Sequence, residues 1–319
     1  GLKWLADNQE PDGYWDTAKW GGHRPYDPGV TGLALLAFVG AGNTETAGTH
    51  SNTVARAVKW LSQNQDKHGN FAPGQTMYNH AIPLVALLEL AGMTPSPELK
   101  TIAEKGLQYM LAVQNPGKAW RYWPKDGDND TSVTHWCARA LSAAESAGIP
   151  VPVSSTAGVK VFVDSMTNAD SGQVGYARGS FIVESEQPFQ GHSMTACGMH
   201  IRLDLGVPIN DPLMVMGAQI LMENLPEWNQ PGINAPFFYY WEAASSVVFQ
   251  VGGKDWDKWN GKMSAMLVQH QINTPGELMG SWDPESQHHF GQMGGRVVST
   301  AFGVLTLETY YRYARPDEK

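Results

Sequence analysis

Ala57-Val58-Lys59-Trp60-Leu61-Ser62-Gln63-Asn64-Gln65, followed by Gly69-Asn70-Phe71, repeats the phrase that opens the chain, Gly1-Leu2-Lys3-Trp4-Leu5 through Gln9 to Gly13-Tyr14-Trp15. The spacing from Lys to Gln to Gly to aromatic is the same in both. A third copy runs from Gly106-Leu107-Gln108-Tyr109 through Gln114 to Gly117 and Trp120, and another ends in Gln271, Gly280 and Trp282. Segments 155–166 and 210–225 fill the corresponding slots without the full phrase. Each copy begins with an amphipathic run, Lys, Glu and Gln on one side and Trp, Leu, Ile or Val on the other, which predicts a half-exposed helix. Each is followed by a run that is apolar nearly all round, roughly 28–42, 79–92, 131–147, 192–206, 240–252 and 296–313, and such a helix is buried on most sides. Outer and inner helices in strict alternation, at a period of about fifty residues, predict six hairpins stacked side by side in one domain over 1–319.

Composition agrees. The chain of 319 residues is 42% hydrophobic and 17% charged, with 12 Trp, 11 Tyr and 10 Phe, enough to bury a large core. A net charge of −9 and the absence of a Lys/Arg-rich block exclude a phosphate-neutralising surface, so no nucleic-acid partner is expected. The apolar stretches are interrupted well before bilayer-spanning length, so no transmembrane segment is expected. Cys137 and Cys197 both fall in apolar helical runs and read as buried free thiols. The start in mid-pattern at Gly1 predicts a piece of a longer chain and leaves localisation unknown, a secreted or cell-envelope parent being one expectation.

The repeated phrase resembles the Gln-Trp repeat of squalene and other class II terpene cyclases, and the layout resembles the α/α toroid these share with protein prenyltransferase β subunits. Asp27-Pro28-Gly29-Val30-Thr31-Gly32, Tyr78-Asn79-His80-Ala81, Trp120-Arg121-Tyr122, Asp130-Thr131-Ser132-Val133-Thr134 and Gly294-Gly295-Arg296-Val297 are more closely similar to bacterial prenyltransferase and squalene oxidase repeat proteins of the planctomycete type. The resemblance covers nearly the whole chain and implies an all-α fold, a closed α/α toroid with an inner and an outer ring. It implies function weakly, since this fold hosts cyclases, prenyltransferases, pectate lyases and non-enzymatic domains.

The links divide into two classes. Those from inner to next outer helix are short or bland, as at Gly92–Pro97 and Gly148–Ser154, whereas those from outer to inner helix are long and carry Trp, Tyr, His, Arg and Asp. Function is expected on the long links, which a ring would gather on one rim with the amino ends of the inner helices. Asp128-Asn129-Asp130-Thr131 sits where a class II cyclase carries its Asp-x-Asp-Asp-Thr acid, with Gly127 and Asn129 in place of the first two aspartates. Asp130, with Asp128, is therefore the candidate acid, although an aspartate there also reads as an N-cap. Asp27, before Pro28, reads as a cap as well. Under the isoprenoid reading Tyr239, Tyr240 and Trp241 would face a carbocation, Arg296 or His192 would tune the acid, and Tyr26, Asp27, Trp282 and His289 would complete the binding rim. Under a second reading Tyr78, His80 and Arg296 would serve β-elimination on an acidic polysaccharide. Under a third the chain is a non-catalytic binding module of a larger protein. The zinc site of protein prenyltransferases uses an Asp-x-Cys pair that this sequence lacks, and no cofactor or metal is expected. The expected ligand is a small isoprenoid or an oligosaccharide.

Overall fold

The computed structural model describes residues 1–177, 188–229, 236–284 and 289–313, with the main chain alone for 188–191, 289–291 and 311. Within them the protein is all-helical. The outer helices are α1 (Leu2–Asp7), α3 (Ser51–Asn64), α5 (Pro97–Ala112), α7 (Val153–Ser165), α9 (Pro212–Glu223) and α11 (Gly253–His270). The inner helices are α2 (Asp27–Gly40), α4 (Tyr78–Met93), α6 (Thr131–Ser146), α8 (Pro188–Asp204), α10 (Phe238–Val251) and α12 (His289–Leu307), after which a last turn, α13, spans Thr309–Arg312. Each inner helix packs on the next, and α12 packs on α2, so the ring closes. Extended structure among the described residues is confined to two isolated bridges, Asp130 with Ala177 and Thr167 with Val174.

The repeated phrase has a mechanical purpose. Gln9 donates from Nε2 to the carbonyl of Gly13 in its own link and to that of Thr53 in the next outer helix. Gln65 reaches Gly69 and Ile102 in the same way, Gln114 reaches Lys118 and Ser155, and Gln271 grips Gly280. The aromatic residue closing each phrase is buried beneath its outer helix. The indoles of Trp15, Trp120 and Trp282 donate to the carbonyls of Leu5, Met110 and Leu267. The amide of each of these tryptophans points at a hydroxyl of the inner helix, Thr31, Thr134 and Thr300 respectively. Buried polar groups are thus paired within the repeat, as an interior without water requires.

The ring is tightest between α2 and α4. A Cβ on Gly32 would lie 2.4 Å from Cα of Pro83, so only glycine allows this approach. The sequence places the last inner helix at 296, whereas α12 begins at His289 and is broken at Gly295, whose φ of +60° favours glycine. At that break the backbone meets the 20–22 loop, where any Cβ on Gly295 would lie 2.2 Å from the carbonyl oxygen of Trp20.

Candidate functional site

Because the inner helices run alike, their amino ends and the long links share one rim, and their carboxyl ends and the short links share the other. At the amino rim, Asp130 is the N-cap of α6: Oδ1 accepts from the amide of Val133 at 2.7 Å. Its backbone is pinned from both sides, its amide to the carbonyl of Trp120 and that of Thr131 to the carbonyl of Tyr176. The side chain is wholly buried, and Oδ2 has no hydrogen-bond partner. Burial pushes its pKa up to about 7, against the opposing pull of the Val133 amide and of Arg121, whose Nε is 3.8 Å away. The cap expected from the sequence is present, yet lost solvation outweighs the helix-end field, so this carboxyl is part neutral near pH 7.

Over Asp130 lies a cover of Arg121, Tyr122 and Tyr176. Arg121 bonds Asp128 and stacks on both tyrosine rings, at 5.4 and 5.9 Å, and the two tyrosine hydroxyls bond each other. Asp128 is half exposed and has this partner role rather than a buried acid's. In the same link Trp123, whose amide donates to Asp126, is 51% exposed. Tyr78, from the start of α4, lies against Tyr122 and donates to Ser132 at 2.7 Å; Ser132 in turn shares a 2.7 Å hydrogen bond with Tyr239, whose hydroxyl is 3.1 Å from Cys197 Sγ. This relay crosses the ring from α4 through α6 to α10 and α8. Burial raises the pKa of both Tyr78 and Tyr239, so they are hydroxyls, not phenolates.

Several residues singled out from the sequence are placed elsewhere. His80 occupies in its hairpin the place that Thr31 and Thr134 occupy in theirs: Nδ1 accepts from the amide of Phe71, Nε2 binds the carbonyl of Gly106, and the ring stacks on Phe71. Burial lowers its pKa to about 4. It faces the outer ring, and both nitrogens are occupied, which takes it out of the expected elimination trio. Successive helical residues differ in direction by about 100°, so Tyr239, Tyr240 and Trp241 cannot share a target. Tyr239 faces the axis, Tyr240 donates to the carbonyl of Asn224 and packs on Trp259, and Trp241 packs on Trp228 and Phe238. Trp282 is buried under α11 as part of the repeat. Asp27 is the first residue of α2 rather than its cap; its carboxylate accepts from the amide and hydroxyl of Thr17 and so anchors the preceding loop, next to the half-buried Tyr26. Arg296 bonds Ser281 and Asp283. His192 is buried at the start of α8, and the side chain of His289 lies outside the described residues. Among the described residues no three of His, Cys, Asp and Glu gather as metal ligands, and no helix is long and apolar enough to cross a membrane.

Sequence reasoning missed what fills the ring. Below the Tyr78–Ser132–Tyr239 relay, Trp136 of α6 meets Phe302 of α12, three places away in a ring of six, and Phe302 also meets Tyr239. One turn further, Arg139 donates to both carboxylate oxygens of Glu242 at 3.0 and 3.3 Å, with the side chains 4% and 2% exposed. Beside these, His135 and His200 bond ring to ring at 3.0 Å, each held neutral by burial. The signal was present in the spacing Ser132, Trp136, Arg139 and Tyr239, Glu242, Ser246, an axial stripe on each helix. Beyond Arg139 the lumen opens into a chamber of about 930 Å³ at the carboxyl rim, lined by residues of α2, α4, α6, α8 and α10 and by Arg312 and Tyr313.

No family model matches the chain, and no curated protein sequence matches it. Solved structures do. The chain is similar to a variant α-1,6-mannanase from Salegentibacter in complex with α-1,6-mannotetrose, at 9% identity, 97% of each chain and a TM-score of 0.65. It is similar to the type II terpene cyclase MstE from Scytonema, at 11% identity over 97% of this chain and 95% of that one, with a TM-score of 0.64. It is also similar to cellobiose 2-epimerase from Bacillus thermoamylovorans, at 12% identity over 96% and 95%, with a TM-score of 0.65. These likenesses support the α/α toroid and carry nothing for the narrower likeness to planctomycete repeat proteins. The fold fits both the isoprenoid and the carbohydrate readings.

Proposed function

We propose that this toroid works on a saccharide at its amino rim, and that it does not enclose an isoprenoid. The observation that carries this reading is the filled lumen. A polyprene needs a deep apolar shaft, whereas the axis beneath Asp130 is crossed by a hydroxyl relay, an aromatic pair and a buried ion pair in succession. A polyprene threaded along the axis would have to separate Arg139 from Glu242, leaving each buried charge uncompensated. Among its described residues the amino rim bears tyrosine hydroxyls, a guanidinium and an exposed tryptophan, which offer what a sugar uses, stacking faces and directional hydrogen bonds. In this reading Trp123 is the stacking platform and Arg121 with Asp128 the polar clamp. Asp130 is the proton donor, reached when the Arg121–Asp128 pair is displaced, since a carboxyl with a pKa near 7 can protonate a leaving oxygen and take the proton back.

The test is calorimetry and product analysis with neutral and uronic oligosaccharides beside geranylgeranyl and farnesyl diphosphate. Saccharide binding weakened about tenfold by Trp123→Ala, with turnover abolished by Asp130→Asn while binding persists, is the expected outcome. Cyclisation of a polyprene, abolished by the same Asp130→Asn, would return the isoprenoid reading to first place.

A further inference from the structure

The guanidinium of Arg121 stands between two carboxyl groups that differ in every other respect. Asp128 meets it at Nη1 with a side chain 50% exposed, whereas Asp130 lies on its Nε side, 3.8 Å away at Oδ2, and is wholly buried. Stacking on the rings of Tyr122 and Tyr176 holds the guanidinium in place between them. Asp128 is free to leave without disturbing the fold. Its amide donates to Asp126 and its carbonyl accepts from Asn115 Nδ2 at 2.6 Å, so the backbone is anchored independently of Arg121. The only other bond of its carboxylate is to the amide of Asn129. Rotation of one exposed side chain therefore uncovers Nη1, and an ion pair this open to water holds weakly.

Asp130 decides what takes its place. In the saccharide reading, on which this inference rests, Asp130 must hold its proton once substrate is bound. Arg121 already pulls against the burial that raises the Asp130 pKa, and a guanidinium left unmatched would draw the proton off. A neutral sugar in the position of Asp128 leaves Arg121 in that state, and trades a charge-assisted hydrogen bond for a weaker neutral one. A carboxylate restores the ion pair and keeps the charge beside Asp130 as it was. The amino ends of the inner helices on this rim favour an anion too. Asp126, the other carboxylate of the link, is occupied by the amides of Trp123 and Asp128. We infer that the saccharide is acidic: Arg121 receives the carboxylate of a uronic-acid residue, and Asp128 is the built-in stand-in for that carboxylate in the free protein. Arg121 then determines specificity, one guanidinium's width from the acid at Asp130.

The probes are trigalacturonate, triguluronate and trimannuronate, each titrated calorimetrically beside its methyl ester, with galactotriose and a sulfated galactotriose as comparisons. The ester keeps the sugar and removes the charge. At neutral pH and low salt one of the uronides is expected to bind about tenfold more tightly than its ester, and the ratio to shrink as salt is raised. Arg121→Gln should bring that ratio to about one, and Arg121→Lys, which keeps the charge without the planar fork, should retain part of it. A merely structural loss in the cover would weaken acid and ester alike and leave the ratio unchanged. Asp128→Asn removes the competing carboxylate and should tighten the uronide about threefold. A neutral, esterified or sulfated sugar bound as tightly as the best uronide would overturn the acidic substrate and leave the saccharide reading standing. An unchanged ratio in Arg121→Gln would overturn the part of Arg121, and no gain in Asp128→Asn the stand-in. Failure of every sugar to bind would overturn the saccharide reading itself, and this inference with it.

Discussion

A carboxyl whose lost hydration outweighs the pull of nearby cations is a weak acid, and Asp130, Asp204 and Glu308 are all in that condition, pushed by burial to about 7, 7 and 8. Their folded values lie above the unfolded ones, so the folded state holds protons that the unfolded state releases. The stability they contribute is complete below about pH 4 and is lost as pH rises through 7 to 8. His80, His135 and His200, depressed by burial, act in the opposite sense and chiefly below their ordinary value of 6.5. The melting temperature is therefore expected to fall between pH 6.5 and 8.5, and Glu308→Gln to flatten that fall; an unchanged slope in the variant would assign the titration to other groups. At Asp130, Asn preserves the cap while Ala removes the Oδ1 acceptor, so Asp130→Ala should cost about 1 kcal/mol more than Asp130→Asn in urea unfolding. That Asp130 caps α6 was legible in Asp-Thr-Ser-Val. That burial also raises the cap's proton affinity was not, because it depends on residues near 121 and 176 that cover it.

At the scale of helices, the chain invests its repeated residues in joints. Each glutamine closing an outer helix ties its own link to the next hairpin, so Gln65→Ala deletes two hydrogen bonds to the carbonyls of Gly69 and Ile102. A loss of about 1–3 kcal/mol is expected, measurable by denaturant unfolding, and faster hydrogen exchange should be confined to the ends of α3 and α5. Gly32→Ala should be comparably harmful for a different reason, since the added carbon meets the backbone of Pro83 and overpacks the α2–α4 contact by about 1–3 kcal/mol. These joints could be read from the phrase itself: glutamine, glycine and aromatic recur at one spacing because each hairpin makes the same contacts. His80 shows where such reading fails. Its place at a helix start among Tyr and Asn looked like chemistry, and only the fold shows it standing in for the threonines of other repeats.

Across the whole molecule the ring is closed and then filled. Arg139 and Glu242 come from inner helices two places apart and meet inside the lumen, so each is the other's solvation. Glu242→Leu alone leaves a buried guanidinium uncompensated and should destabilise by about 3–5 kcal/mol, whereas Arg139→Met together with Glu242→Leu should recover most of the loss. A double variant as unstable as the sum of the singles would show that the pair does not act as a unit. The alternation of amphipathic and all-apolar helices determined by itself that this chain is a stack of six hairpins, because helix period and burial pattern are local properties. It also determined which rim receives the long, aromatic links. Which residues look down the axis was decided by tertiary structure alone. A helix turns about 100° per residue, so neighbours such as Tyr239, Tyr240 and Trp241 diverge, and whether a side chain finds a partner across a lumen depends on helices more than a hundred residues away. For the same reason only the assembled ring shows, among the described residues, side chains meeting across the axis beneath the amino rim and a chamber at the carboxyl one.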